Sequence, residues 1–295
     1  MNEYKLYQVD AFTDTRFSGN PCAVVLNADT LSAEQMQKIA KEMNLSETAF
    51  VIKSEKADFG ARYFTPAEEI PMAGHPTIST IFTLIRHGDI ILNEDRRTLS
   101  LELKAGIFPI EINRRDGQIL ITMIQQAPHF FMKYEPDDIQ KVFSLKPGDL
   151  LSDYPVQTVS TGTPQLMIPV SSKSVLKRLE INMNEFIRLK DKGDFFSVHL
   201  FTVEGMTEKG DTYARHFTTP PDLFEDPFTG SATGGMGAYL WNYGLIKKDR
   251  FIAEQGHSMK RPGSAVVELV GTPQRIEGIK ISGTAVPVFE GTLQV

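Results

Sequence analysis

The spacing of apolar positions divides the chain into short strands and a few helices. Residues 4–9 and 22–26 are runs of strand-forming side chains. Residues 31–43 repeat apolar positions at helical spacing, with Met36, Ile39, Ala40 and Met43 on one stripe. Ser32 is a good N-cap, and Gln35 three residues on completes a capping box. Residues 48–52 and 61–64 are β-branched or aromatic and predict strands. A second helix starts at Gly74, tolerates Pro76 near its first turn, and stops at Gly88, a residue suited to the left-handed C′ position. Its predicted buried face is Ile78, Ile81, Phe82 and Ile85. Asp116-Gly117 predicts a hairpin turn. In the second half, residues 195–203, 266–270 and 279–281 predict strands and 232–243 a helix. The helices after Gly74 and Gly230 are small or apolar nearly all round, which predicts burial on every side.

The pattern repeats. Ala61-Arg62-Tyr63-Phe64-Thr65 returns as Ala214-Arg215-His216-Phe217-Thr218. The glycine-led helix at Gly74 returns at Gly230, and both reach a second glycine, Gly88 and Gly244, after the same interval. Residues 106–112 align with 263–269, and Gly19-Asn20-Pro21 with Gly162-Thr163-Pro164. The blocks keep their order and the offset grows along the chain, as two duplicated halves with loop insertions require. A period of about 150 residues is too long for a solenoid and fits two similar domains. The stretch 126–154 is polar and carries prolines and glycines, which places the boundary near Ala127-Pro128. The expected domains are 1–127 and 128–295, with the last strand able to return to the first. The expected class is α/β, each half a curled sheet around one central helix.

Composition narrows the function. The 295 residues are 41% hydrophobic and 23% charged, ordinary for a globular protein of about two domains. The net charge of −6 and the lack of a basic tract argue against nucleic acid. No apolar run is long enough to span a bilayer, and the first residues lack the apolar core of a signal peptide. The expectation is a cytoplasmic protein without membrane or nucleic-acid partners. A single cysteine, Cys22, excludes an intramolecular disulfide and a cysteine-rich metal site. The six histidines show neither His-x-x-x-His nor His-x-His, so no metal site is expected.

Candidate chemistry gathers at the two glycine-led helix starts. Free N–H groups and the positive dipole end make such a start an anion site, and Gly230 lets a ligand approach the backbone. Ser231 adds a hydroxyl donor or simply caps the helix. Neither a P-loop, a dinucleotide fingerprint nor a nucleophile elbow is formed. His75 directly follows Gly74, where the dipole favours a neutral ring able to bond a substrate or the local loop. Asp226 precedes Pro227, which is also ordinary turn chemistry. Glu47 leads into an apolar strand. By itself it reads first as a surface carboxylate at a strand edge, and second as a desolvated proton-transfer group. Cys22 reads as a small core residue.

Four stretches in order, residues 17–25, 44–50, 73–77 and 225–232, resemble the signature segments of the phenazine-biosynthesis PhzF isomerases, of the diaminopimelate-epimerase-like superfamily. The resemblance covers nearly the whole chain. It implies two similar domains with the active site in the cleft between them, no cofactor, and a homodimer. It implies Glu47 as the acid/base carboxylate, His75 and Asp226 as residues that hold and polarise the substrate, and Gly74, Gly230 and Ser231 as substrate-binding residues. Diaminopimelate epimerases use a cysteine pair; here Gly74 stands at the first such position and one cysteine makes no pair. The implied reaction is isomerisation of a small carboxylate by proton transfer, as with trans-2,3-dihydro-3-hydroxyanthranilate. The alternatives are a cofactor-independent racemase or epimerase, or a non-catalytic small-carboxylate binding protein.

Overall fold

The computed structural model describes residues 2–115, 117–220 and 223–295. The chain forms two compact units. One comprises Met1–Ile124 with Ser282–Val295, the other Gln125–Ile281.

The first unit contains β1 (Glu3–Ala11), β2 (Asn20–Val25), α1 (Ala33–Met43), β3 (Glu47–Ile52), β4 (Phe59–Phe64), β5 (Glu69–Ile70), α2 (Gly74–His87), β6 (Arg96–Leu103), β7 (Gly106–Arg115) and β8 (Gln118–Gln125). β1 pairs antiparallel with β2, β2 parallel with β3, β3 antiparallel with β4, β4 parallel with β6, and β6 antiparallel with β7. Side chains alternate across this sheet. One face buries Ala23, Val25, Phe50 and Phe64 against Met36, Ile39 and Ala40 of α1, whose Ser32–Gln35 capping box forms as its sequence requires. The other face receives α2, which touches β1, β2 and β3. Burial of α2 extends beyond Ile78 and Ile81 to Leu84, Thr77, Ser79, Thr80 and Thr83, while Phe82 and Ile85 of the predicted face are only half-buried. A helix enclosed by a curled sheet has no single inner stripe. Gly88 caps it at φ 98°, a left-handed conformation open to glycine at no steric cost. β7 and β8 form the predicted hairpin ladder with Gly117 at φ 78°; Asp116 of that turn lies outside the described residues.

The second unit contains β9 (His129–Tyr134), α3 (Pro136–Phe143), β10 (Val156–Ser160), β11 (Pro164–Pro169), α4 (Lys173–Lys177), α5 (Met183–Lys192), β12 (Ser197–Thr202), β13 (Thr212–Phe217), β14 (Glu225–Asp226), α6 (Gly230–Asn242), β15 (Arg250–Gln255), β16 (Gly263–Thr272) and most of β17 (Arg275–Gly283). The stretch 126–154, read as a polar connection, carries β9 and α3. Its Pro136 occupies the first turn of α3, where a missing N–H costs nothing. The final strand, β18 (Ala285–Gln294), pairs antiparallel with β1 in the first unit.

The ladder of the first unit recurs in the second. β10, β11, β12, β13, β15 and β16 pair in the same order and directions as β1, β2, β3, β4, β6 and β7. Here Leu166, Val198, Leu200, Tyr213 and Phe217 face a core completed by α3, α4 and α5, while their alternating neighbours face α6. In this register Cys22 opposite Glu47 corresponds to Gln165 opposite Ser197.

One clamp is duplicated to the atom. Arg62 forms a forked pair with Glu69 at 2.8 and 3.0 Å, and Arg215 one with Glu225 at 2.8 Å on both arms. The guanidinium carbons lie 5.3 Å from the Phe64 ring and 4.9 Å from the Phe217 ring. Each clamp holds its two-residue strand against the sheet, and β14 carries Asp226. Arg215→Met leaves Glu225 largely buried without its cation and is expected to cost about 3 kcal/mol. The sole tryptophan, Trp241 in α6, reports this by fluorescence during urea unfolding. Adding Glu225→Leu is expected to restore most of the loss, because the stranded charge goes with it.

Candidate active site

Glu47 is the first residue of β3. α1 ends at Asn44 in the left-handed conformation, φ 50°, and the chain turns directly into the strand. The strand opens opposite Cys22 of β2, on the sheet face that receives α2. The Glu47 side chain keeps 17% of its exposure. His75, second residue of α2, is 3% exposed. Its Nε2 lies 3.1 Å from Glu47 Oε2, off the line of a well-aligned hydrogen bond. Its Nδ1 lies 3.0 Å from Asn20 Nδ2. With the Asn20 amide donating, Nδ1 is an acceptor and the ring proton sits on Nε2, toward the carboxylate. Burial pushes the His75 pKa down to about 3, and the positive start of α2 acts in the same sense. The ring is therefore a neutral donor at physiological pH. Gly74 leads α2, and Ala73 at the N-cap provides no side-chain bond. The Cys22 thiol, fully buried, is pushed up by burial and by the Glu47 charge, which leaves it inert.

The remaining expected residues belong to the second unit. Asp226 Oδ2 accepts from Thr229 Oγ1 at 2.5 Å. Gln255 ties this turn down, donating to Asp226 O at 2.7 Å and accepting from Thr229 N at 3.2 Å. Gly230 opens α6, and its carbonyl accepts from Gln125 Nε2 at 2.8 Å; Gln125 Oε1 accepts from Thr161 at 2.6 Å. A side chain at Gly234 would displace Gln125 from these two partners. Its Cβ would lie 1.8 Å from Gln125 Oε1. Ser231 Oγ accepts from Gln165 Nε2 at 3.0 Å, so its own proton is left to donate elsewhere. The first N–H groups of each helix have no intrahelical acceptor; in the second unit those of α6, with the Ser231 hydroxyl, offer donors to an anion.

Glu47, Gly74 and His75 thus fall together in the first unit, and Asp226, Gly230 and Ser231 in the second. Sequence reasoning left Asn20 without a role, although its Gly-Asn-Pro block was one of the repeated segments. It also missed Gln125, Gln165, His199 and His216. Their only signal is a polar residue amid apolar strand positions. Among the described residues no three His, Cys, Asp or Glu side chains converge to hold a metal ion, and no helix is long and apolar enough to cross a membrane.

The chain is similar to known proteins along nearly its full length. "Uncharacterized isomerase YfhB" of Bacillus subtilis is 35% identical over 290 residues, covering 97% of each chain. "Trans-2,3-dihydro-3-hydroxyanthranilate isomerase" of Pseudomonas aeruginosa is 30% identical over 286 residues, covering 96% of each. A crystal structure of a PhzF-family phenazine biosynthesis protein from Bacillus anthracis superposes with a TM-score of 0.90 at 35% identity, covering 100% of both chains. The family model PhzC-PhzF, described as phenazine biosynthesis-like protein, matches residues 9–291. The family-model match over residues 9–291, with 30–35% identity along nearly the full length of named isomerases, makes this chain a member of the phenazine biosynthesis-like PhzC-PhzF family.

Proposed function

We propose that this protein is a cofactor-independent isomerase that moves a proton between carbons of a small, unsaturated carboxylic acid. The observation that carries the reading is the His75–Glu47 pair at 3.1 Å, with Asn20 holding the ring proton on Nε2. Glu47 takes a proton from carbon as a carboxylate and returns it, as a carboxylic acid, to another carbon of the conjugated system. Electrons shift along that system and no redox partner enters. His75 donates its Nε2–H to hold and polarise the substrate, and being neutral it does not quench the Glu47 charge. Gly230 and Ser231 bind the substrate carboxylate through N–H and O–H donors, and Asp226 orients the substrate. Positioning and general acid–base catalysis supply the acceleration. The relatives named trans-2,3-dihydro-3-hydroxyanthranilate isomerases support a cyclic amino-carboxylate as substrate class.

A panel of small unsaturated carboxylates, that dihydroanthranilate included, incubated with the protein in D2O tests the reading by mass spectrometry. The expected product has its double bond relocated and gains one deuterium at carbon, because the proton on the partly exposed Glu47 exchanges with D2O before its return. Deuterium gain with scrambled configuration and no bond shift would instead identify an epimerase. Neither deuterium gain nor a relocated double bond in any acid that binds would identify a binding protein.

A further inference from the structure

Two histidines that lie scattered in the sequence meet in the second unit. His199 on β12 and His216 on β13 are directly paired across the strands, on the face that receives α6. Their Nδ1 atoms are 3.2 Å apart, and the rings meet at 5.4 Å and 55°. One Nδ1 must donate and the other accept, since burial holds both rings neutral. The surroundings decide which. His199 is wholly buried, packs on Phe201, and its Nε2 has no partner among the described residues. A proton there would be an orphaned buried N–H, a rarer and costlier defect than an unused acceptor. The proton therefore sits on His199 Nδ1, which donates to His216 Nδ1. His216 must then carry its proton on Nε2. It is also the member of the pair that keeps some exposure, 3% against none.

The first unit holds its imidazole the same way, with Asn20 Nδ2 donating to His75 Nδ1. On its other side His216 is directly opposite Asp226 of β14. Residues opposite one another in an antiparallel pair share a face, with Cβ atoms about 5 Å apart. A neutral N–H donor thus stands beside a carboxylate. A hydroxyl or keto oxygen accepts from this neutral N–H and brings no further negative charge onto the face that His216 shares with Asp226.

We propose that His216 donates its Nε2–H to a neutral oxygen of the substrate, a hydroxyl or keto group separate from its carboxylate, and that His199 is the positioning residue that locks His216 in this tautomer. The inference rests on the reading of Gly230 and Ser231 as the carboxylate site.

Long-range 1H–15N spectra of histidine-labelled protein report each tautomer, and titration with 3-hydroxyanthranilate and anthranilate, which differ by one hydroxyl, reports recognition. His216 is expected in the Nε2–H form. The wild type is expected to favour the hydroxylated acid about tenfold, the effect of one hydrogen bond. His216→Leu and His199→Leu erase the preference, His199→Asn keeps it because an amide replaces the donor as Asn20 does for His75, and Ser231→Ala weakens both acids alike. Trp241 fluorescence verifies that each variant is folded. An Nδ1–H form of His216, equal binding of the two acids, or a preference that survives His216→Leu overturns this inference alone. Failure of both acids to bind the wild type overturns the carboxylate reading and this inference with it.

Discussion

Glu47→Gln is expected to slow carbon–deuterium exchange by about 10²–10⁴-fold while leaving the urea unfolding midpoint nearly unchanged. The substitution keeps size and shape at a position whose side chain retains 17% exposure. It removes the one property the mechanism needs, a carboxylate that accepts and returns a proton. The amide keeps its place beside His75 without changing the neutral ring or its Asn20 partner. The loss therefore falls on turnover, with binding of an unreactive acid such as anthranilate little altered. Full exchange by Glu47→Gln would remove this residue from the role. Loss of exchange together with a collapsed unfolding midpoint would mean that the variant reports folding instead, and Glu47→Asp then separates the two by keeping the charge and shortening the reach.

Acid is expected to destabilise the second unit steeply, well above the range where carboxylates titrate. Burial pushes His216 down to about 3, and His199 is held well below its ordinary value by burial and by His216 beside it. In the unfolded chain both titrate near 6.5. Below about pH 6.5 the unfolded state thus binds protons that the folded state refuses. The stability is fully present above that value and falls as the pH drops, by about 1.4 kcal/mol per pH unit for each ring, until the folded pKa is reached. The second unit carries this pair and the first carries His75 alone, so the second is the more acid-sensitive. Between pH 6 and 4 the His216 ring alone removes about 2.5 kcal/mol, and His199, shifted in the same direction, adds to that loss. Asp149 and Asp194, whose hydrogen bonds hold them below the ordinary value despite burial, add losses only below about pH 4. Urea midpoints read through Trp241 are expected to fall as the pH drops below about 6.5 toward 4, and His199→Asn to lower the slope. A flat midpoint between pH 7 and 5 would show that the folded unit accepts the protons.

Much of the fold is legible before folding. Ser32 and Gln35 write the start of α1, Gly88 the end of α2, and the matched Ala-Arg-x-Phe-Thr blocks place β4 and β13 at corresponding positions. These features are local, within a few residues of the backbone groups they satisfy. The misreadings are local rules overruled by context. Proline and polarity in 126–154 look like a linker, yet Pro136 sits where a helix tolerates it. Phe82 and Ile85 look like the inner face of a helix that is in fact enclosed on nearly all sides.

The candidate residues divide the same way. Glu47, His75, Asp226, Gly230 and Ser231 stand in motifs readable along the chain. What each can do depends on partners that sequence spacing does not announce. Asn20 reaches His75 across 55 positions, Gln165 reaches Ser231 across 66, and His199 meets His216 only because β12 and β13 are neighbours in register. The sequence by itself determined the duplicated α/β plan, the two glycine-led helix starts and the chemical types set beside them. The tertiary structure alone decided which ring nitrogen carries a proton, which hydroxyl is left to donate and which histidines stay neutral. A protonation state is set by burial and by the atom within hydrogen-bond reach, and both exist only once distant strands have packed against one another.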